Sequence, residues 1–293
     1  MPPQPLEEVI AEGRLWRPPH LPAELARRIL AAPPSATVHS NRRSLVERVE
    51  VEGARYARKR YRSTPIRALL GLAGGRARAR RSFLLAAEGE RRGLPLLRPV
   101  CLLAHRRRGI PGESILVTRW FEGEHLHLFH ASRRCTSLAP WRARVEFLGR
   151  LARFLLDLHR GGVLALDLAP QNVLAREAEG GGWELSLADL DDARLAGAVA
   201  PEQIADNLAQ LGHLPATVPA RERRRFFGIY LEEGGRELLG PLLERDGERA
   251  LLREIEERID RLHRAKLRRM RARHGDPHRY AGWGLDAEGR PEG

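Results

Sequence analysis

Lysine is almost missing from this 293-residue chain: Lys59 and Lys266 are the two that stand among 51 basic residues, the rest being arginine. Cysteine is nearly as scarce, with Cys101 and Cys135 alone. Two thiols exclude a disulfide framework and fall short of a zinc site of the usual spacing, which suits a reducing cytosol. No stretch approaches the roughly eighteen apolar residues of a spanning helix. The opening Met1-Pro-Pro-Gln-Pro-Leu-Glu-Glu8 has no basic segment followed by an apolar one, as a secretory signal would. The chain is therefore expected to be cytoplasmic, neither exported by a recognisable signal nor membrane-spanning. Aromatic residues supply 5%, and no repeat period is visible.

What is present is a globular pattern. Apolar residues make up 42% of the chain, and periodic apolar runs recur from Leu45 to about Leu267. The net charge of +13 attracts polyanions such as nucleic acid, anionic lipid head groups or phosphorylated glycolipid. No nucleic-acid motif accompanies that charge, which argues against a nucleic-acid partner.

Residues 1–36, rich in Pro and Ala, read as an irregular lead with one short helix near Ala23 to Leu30, closed by Pro33-Pro34. From Ser44 the pattern becomes β-like: Leu45 to Val51 and Arg55 to Tyr61 are joined by Glu52-Gly53 as a hairpin. Arg76 to Arg92 has helical spacing at Phe83, Leu84 and Ala87. Val100 to His105 and Ser114 to Trp120 read as strands around a turn at Gly109-Ile-Pro-Gly112. Residues 37–122 thus form a small β-rich part.

Residues 123–275 read as mostly helical, and 276–293 as a flexible basic Gly/Pro tail. Trp141 to Arg160 is a strongly amphipathic helix stopped by Gly161-Gly162. Val163 to Leu166, Val173 to Ala175 and Trp183 to Leu187 are short strands. Ala205 to Leu214, Glu222 to Glu233 and Arg249 to about Arg273 are helices, the last with Leu252, Ile255, Ile259, Leu262 and Leu267 on its apolar face. The expected fold is α+β and protein-kinase-like, with a small β-rich N-lobe and a larger α-rich C-lobe.

Phosphoryl transfer needs a carboxylate for the acceptor hydroxyl, an amide and a second carboxylate for magnesium, and a lysine on the phosphates. Lys59, kept where arginine is written almost everywhere else, offers the compact ammonium such a grip requires. Asp167-Leu-Ala-Pro-Gln-Asn172 supplies the acceptor carboxylate at Asp167 and the amide at Asn172. Pro170 stiffens the loop that turns both into one cleft. Asp189, after the apolar Leu187 and Ala188, is the second expected magnesium ligand. Asp191 and Asp192 read as structural, and His159 as a packing or capping residue.

Tyr56-Ala-Arg-Lys-Arg-Tyr61, Arg76-Ala-Arg-Ala-Arg-Arg-Ser-Phe83, Gly93-Leu-Pro-Leu-Leu-Arg-Pro99, the Asp167 loop and Asp189-Leu-Asp191 stand in an order that resembles the lipopolysaccharide-core kinases. These are the bacterial 3-deoxy-manno-octulosonic acid and heptose kinases, related to protein kinases, and the resemblance spans roughly Ser44 to Leu214. It implies ATP and magnesium as cofactors and a sugar or glycolipid acceptor. The arginines over Leu251 to Arg273 add, as a secondary expectation beside packing, peripheral contact with an anionic membrane at its cytoplasmic face. In this chain Ala165 and Leu166 replace the family's His and Arg before the catalytic aspartate. No Gly-rich loop is present, so Asn41-Arg-Arg-Ser44 would cover the phosphates, with Ser44 adding its hydroxyl. The partner of Lys59 is open: counting back from the Gly-Leu-Pro turn lands on Ser82, with Glu88 and Glu90 as carboxylate alternatives. A non-catalytic pseudokinase-like module, or a kinase for a protein or small-molecule acceptor, is the alternative reading.

Overall fold

The computed structural model describes residues 4–40, 44–62, 74–107, 110–131, 141–214 and 220–275. The expected tail at 276–293 and residues 41–43 of the phosphate-covering segment lie outside them. The chain divides into two compact units, one of Met1–Phe121 with Leu190–Arg194, the other of Glu122–Asp189 with Leu195–Gly293.

The first unit is built on a seven-stranded antiparallel sheet. Its strands are β1 (Leu6–Ile10), β2 (Gly13–Arg17), β3 (Pro34–Ser40), β4 (Ser44–Val51), β5 (Ala54–Tyr61), β6 (Pro99–Arg107) and β7 (Ile110–Arg119). They lie in the order β1-β2-β6-β7-β5-β4-β3. Between β4 and β5, Glu52 and Gly53 both take positive φ, 53° and 72°, the twist a two-residue hairpin turn favours.

Helix α1 (Ala23–Ala31) and helix α2 (Gly74–Arg92) cover opposite faces of the sheet. Alternation along β5 separates their cores: Tyr56 joins Leu15, Ile29, Val49 and Val117 on the α1 face. Tyr61 joins Phe83, Leu102 and Leu116 on the α2 face. Arg58, on the α1 face, is buried with Glu47 and donates to the carbonyls of Leu30 and Ala32 at 2.8 and 2.7 Å. A buried guanidinium thereby caps the end of α1 while its charge is matched by a carboxylate.

The expected irregular lead is corrected here, since residues 6–17 form β1 and β2. In β2 the neighbours Leu15 and Trp16 are both buried, one toward each face, so a strand covered on both sides shows no alternation. β1 is an edge strand with Val9 exposed, held by Arg14–Glu7 and Arg17–Glu8 pairs across the hairpin. The expected turn at 109–112 is strand from Ile110 onward.

In the second unit, β8 (Glu124–His125) and the short α3 (Leu126–Ala131) precede α4 (Trp141–Arg160). Phe129, Phe147 and Trp183 pack ring against ring at 5.3–5.5 Å, fastening α3 and α4 to the strands behind them. β9 (Val163–Ala165) follows α4, and β10 (Val173–Glu177) pairs with both β8 and β11 (Trp183–Leu187). Gly162, at φ 74°, follows α4 where a Cβ would fall against the Ala196 carbonyl oxygen, leaving no room for a side chain.

The remaining helices are α5 (Pro201–Gly212), α6 (Ala220–Tyr230), a wide π-type turn at Leu231–Gly235, α7 (Arg236–Asp246) and α8 (Glu248–His274). Sequence reading omits α7, as it does the short α3: Gly235, Gly240, Pro241 and Gly247 punctuate α7, yet its Leu239 and Leu242 are buried. On α8 the inward positions are Leu251, Ile255 and Ile259, so the apolar face starts one residue earlier than the expected Leu252. No helix of the described residues is long and apolar enough to cross a membrane.

Candidate active-site residues

Lys59 lies on β5 between Val46 of β4 and Leu116 of β7, and so points to the α2 face with Tyr61. Its ammonium is 2.9 Å from Asp191 Oδ2. The other carboxylate oxygen accepts from Tyr61 Oη at 2.6 Å and Ser82 Oγ at 3.2 Å. Arg81 binds the Asp191 backbone carbonyl at 2.8 Å. Strand periodicity explains the Tyr61 contact, since residues two apart share a face. It also sets the Lys59 ammonium 5.1 Å from the Tyr61 ring centre. Ser44 sits at the start of β4 opposite Tyr61 and is buried, on the same face as Lys59.

The carboxylate beside Lys59 is thus Asp191, and neither Glu88 nor Glu90 meets it. Glu88 is bound by Arg91 and Arg92 of its own helix, which hold its carboxyl down at about 2. Glu90 is exposed. Ser82, where counting from the Gly-Leu-Pro turn had landed, does reach the shared carboxylate. Asp191, read from sequence as a structural turn residue, is the centre of the cluster. Its signal was its distance of two from Asp189 in an otherwise apolar approach.

In the second unit the chain leaves β9 at Ala165, and Leu166 and Asp167 are exposed. Leu168 is fully buried and anchors the loop from below. Pro170 opens a single turn, Pro170–Asn172, closed by Asn172 N–H on the Ala169 carbonyl at 2.8 Å. Asn172 Nδ2 then donates back to the Asp167 carbonyl at 2.9 Å, which turns its Oδ1 away from that carbonyl. The loop joins the next strand pair directly. Ala188 N–H donates to the Asn172 carbonyl at 2.8 Å, continuing the β10–β11 ladder. Asn172 and exposed Asp189 therefore stand at the ends of adjoining segments.

Two oxygen donors of this kind, an amide and a carboxylate, suit a hard cation that keeps water and substrate phosphates as its other ligands. Among the described residues no group of three or more His, Cys, Asp or Glu is placed to hold a metal by itself. The Cys101 thiol, fully buried on the α1 face, is pushed up to about 12 by burial, which removes it as a nucleophile. Cys135 lies outside the described residues.

Residues absent from the sequence reading line the back of the Asp167 loop. Asn207 and Gln210 of α5 bind the backbone of Ala165, Leu166 and Leu168. His159, read as packing or capping, is buried against Tyr230 and Asn207. Spacing of three on α5 was the available signal, since Asn207 and Gln210 share one helix face.

The family model described as Lipopolysaccharide kinase (Kdo/WaaP) family matches residues 34–230, a span that holds Lys59, Asp167, Asn172, Asp189 and Asp191. Among solved structures, one described as WaaP in complex with acyl carrier protein is similar in fold at a TM-score of 0.55 and 20% identity. The match covers 80% of this chain and 91% of that one. None of the curated proteins matches the chain.

Proposed function

The chain belongs to the lipopolysaccharide kinase (Kdo/WaaP) family and is a kinase, and from that premise we propose that it transfers the γ-phosphoryl group of ATP to a hydroxyl of a lipopolysaccharide-core sugar or similar glycolipid. The acceptor oxygen bonds to phosphorus, the bond to the bridging oxygen of ADP breaks, and the hydroxyl proton passes to the Asp167 carboxylate. Lys59 steadies the α- and β-phosphates, with Asp191, Tyr61 and Ser82 fixing the direction of its ammonium. In this reading Asp191 takes the part that sequence had offered to Glu88 or Glu90. Asn172 and Asp189 would hold magnesium, which when bound offsets the phosphate charge.

The observation that carries the reading is Asn172, whose side-chain Nδ2 donates to the Asp167 backbone carbonyl and whose backbone carbonyl accepts the Ala188 N–H. That arrangement couples the acceptor carboxylate to two oxygen donors of the kind magnesium takes. The outer turns of α8 expose Arg261, Arg264, Arg268, Arg269 and Arg271. We assign them to peripheral contact with anionic lipid, where each basic residue adds about 1 kcal/mol.

The test is transfer of labelled phosphate from ATP to extracted core glycolipid. Incorporation is expected with the wild type, to be lost with Asp167→Asn and abolished by chelating magnesium. Equal incorporation by wild type and Asp167→Asn overturns the role of Asp167, and incorporation indifferent to chelation overturns the metal.

A further inference from the structure

We infer that Gln210 is a positioning residue for Asp167, held in its working orientation by Asn207 and, behind it, His159. The inference rests on the reading of Asp167 as the acceptor carboxylate.

Asp167 sits on an exposed stretch that has left the β9 strand, so neither ladder hydrogen bonds nor burial of its own side chain fixes it. A single side chain from α5 brackets it. Gln210 Nε2 donates to the carbonyl of Leu166 at 2.9 Å, and Gln210 Oε1 accepts the N–H of Leu168 at 2.8 Å. Asn172 takes the carbonyl of Asp167 itself. The backbone is therefore held at three successive residues, two of the bonds coming from one planar amide. Turning that amide over would set oxygen against the Leu166 carbonyl and N–H against the Leu168 N–H, replacing two bonds by two repulsions.

The direction of the amide is fixed from behind. Asn207, 2% exposed, donates Nδ2 to the Ala165 carbonyl at 2.6 Å and points the same group at Gln210 Oε1 at 3.4 Å. Its Oδ1 then faces His159 Nε2 at 3.3 Å, so that nitrogen carries the imidazole proton. His159 Nδ1 is left to accept from Tyr230 Oη at 3.0 Å. The polarity runs one way, from Tyr230 through His159 and Asn207 to the loop. Burial keeps the imidazole neutral, its pKa pushed down to about 4, as that one-way chain requires. Ala165 and Leu166 contribute only main-chain groups to this grip, so α5 fixes the loop without help from the side chains just before Asp167.

Gln210→Met keeps the length of the side chain and removes both bonds. Its expected effect is a fall in kcat of about 10–100-fold in transfer from labelled ATP to extracted core glycolipid, the cost of a small misplacement of a reacting group. KM for ATP should stay within about twofold, and hydrogen exchange at the Leu168 amide should quicken while that of Leu155 in α4 does not. Gln210→Glu, which keeps the acceptor for Leu168 N–H, should retain Leu168 protection and lie between the two in kcat. This second variant also serves if Gln210→Met does not fold. Wild-type kcat in Gln210→Met, with Asp167→Asn inactive, overturns the inference alone. Unchanged Leu168 exchange overturns it whatever the activity. Equal transfer by wild type and Asp167→Asn instead removes the reading of Asp167 on which it rests.

Discussion

The chain's two lysines sit in opposite electrostatic settings. Lys59, on the interior strand β5 of one unit, faces the Asp191 carboxylate at 2.9 Å and the Tyr61 ring. Lys266, on α8 of the other unit, is half-buried with Arg269 beside it, and burial followed by that like charge pushes it down to about 7. His213 shares the second setting. Burial and the charges of Lys266, His263 and Arg269 push it down to about 4. Scarcity singled out both lysines equally, and surroundings separate them. A carboxylate partner keeps an ammonium aimed, whereas crowding by cations works against having a charge there at all.

The strongest way to break this distinction is to write arginine at each lysine in turn. Lys59→Arg places a larger planar fork where a compact ammonium meets Asp191. Phosphate transfer should fall about 1000-fold, roughly 4 kcal/mol in the barrier. Lys266→Arg should transfer at a rate within about twofold of wild type. A Lys59→Arg protein as fast as Lys266→Arg would show that the carboxylate setting has no bearing on activity.

Asp191→Asn sharpens the same point from the partner's side. The amide keeps the shape and leaves the ammonium without its charge match, so kcat should drop about 100-fold. Glu88→Gln, whose carboxylate serves Arg91 and Arg92, should leave kcat near wild type. The reverse order of these two variants would return the role to Glu88.

Sequence reading went furthest where a local rule had one solution. Trp141–Arg160 and Trp183–Leu187 carried clean periods, and the hairpin around Lys59 carried both strands and its turn. It failed where context decides. β2 is buried on both faces and hides its alternation, and α7 is helical in spite of Pro241 because Leu239 and Leu242 need a core. The loop from Asp167 to Asn172 was legible as a spacing, since its own backbone makes the turn. The partners of that loop and of Lys59 come from Asn207, Gln210 and Asp191, between 42 and 132 positions away from them, and no local pattern encodes such a distance. Glu88 and Glu90 do not meet Lys59 for local reasons: Glu88 is taken by Arg91 and Arg92 of its own helix, and Glu90 faces outward.

Acid should expose the buried imidazoles in the Lys266 unit. His159 is held near 4 in the folded chain against 6.5 when free, so between those values the unfolded chain binds the extra proton. Stability is then lost as pH falls from 6.5 toward 4, by about 3 kcal/mol from His159 once below it. Urea midpoints at pH 7 and pH 4.5 would measure the loss, and His159→Phe should flatten the contribution. An equal pH slope in both proteins would place the acid sensitivity elsewhere.

The smallest effect tests the second lysine itself. Lys266 is held near 7 in the folded chain against 10.5 when free, so below pH 7 both states carry the charge and the folded state bears the whole penalty. As pH rises from 7 to 10.5 the folded lysine has already lost its proton while the unfolded one still binds it, and the penalty drains away. Lys266→Met should therefore raise Tm by a few degrees at pH 6, with the gain shrinking steadily toward pH 10. Lys59→Met removes the partner of a half-buried carboxylate and should give no such gain at pH 6. If both methionine variants stabilise alike there, the two lysines share one electrostatic setting, and the contrast between carboxylate and cation neighbours loses its force.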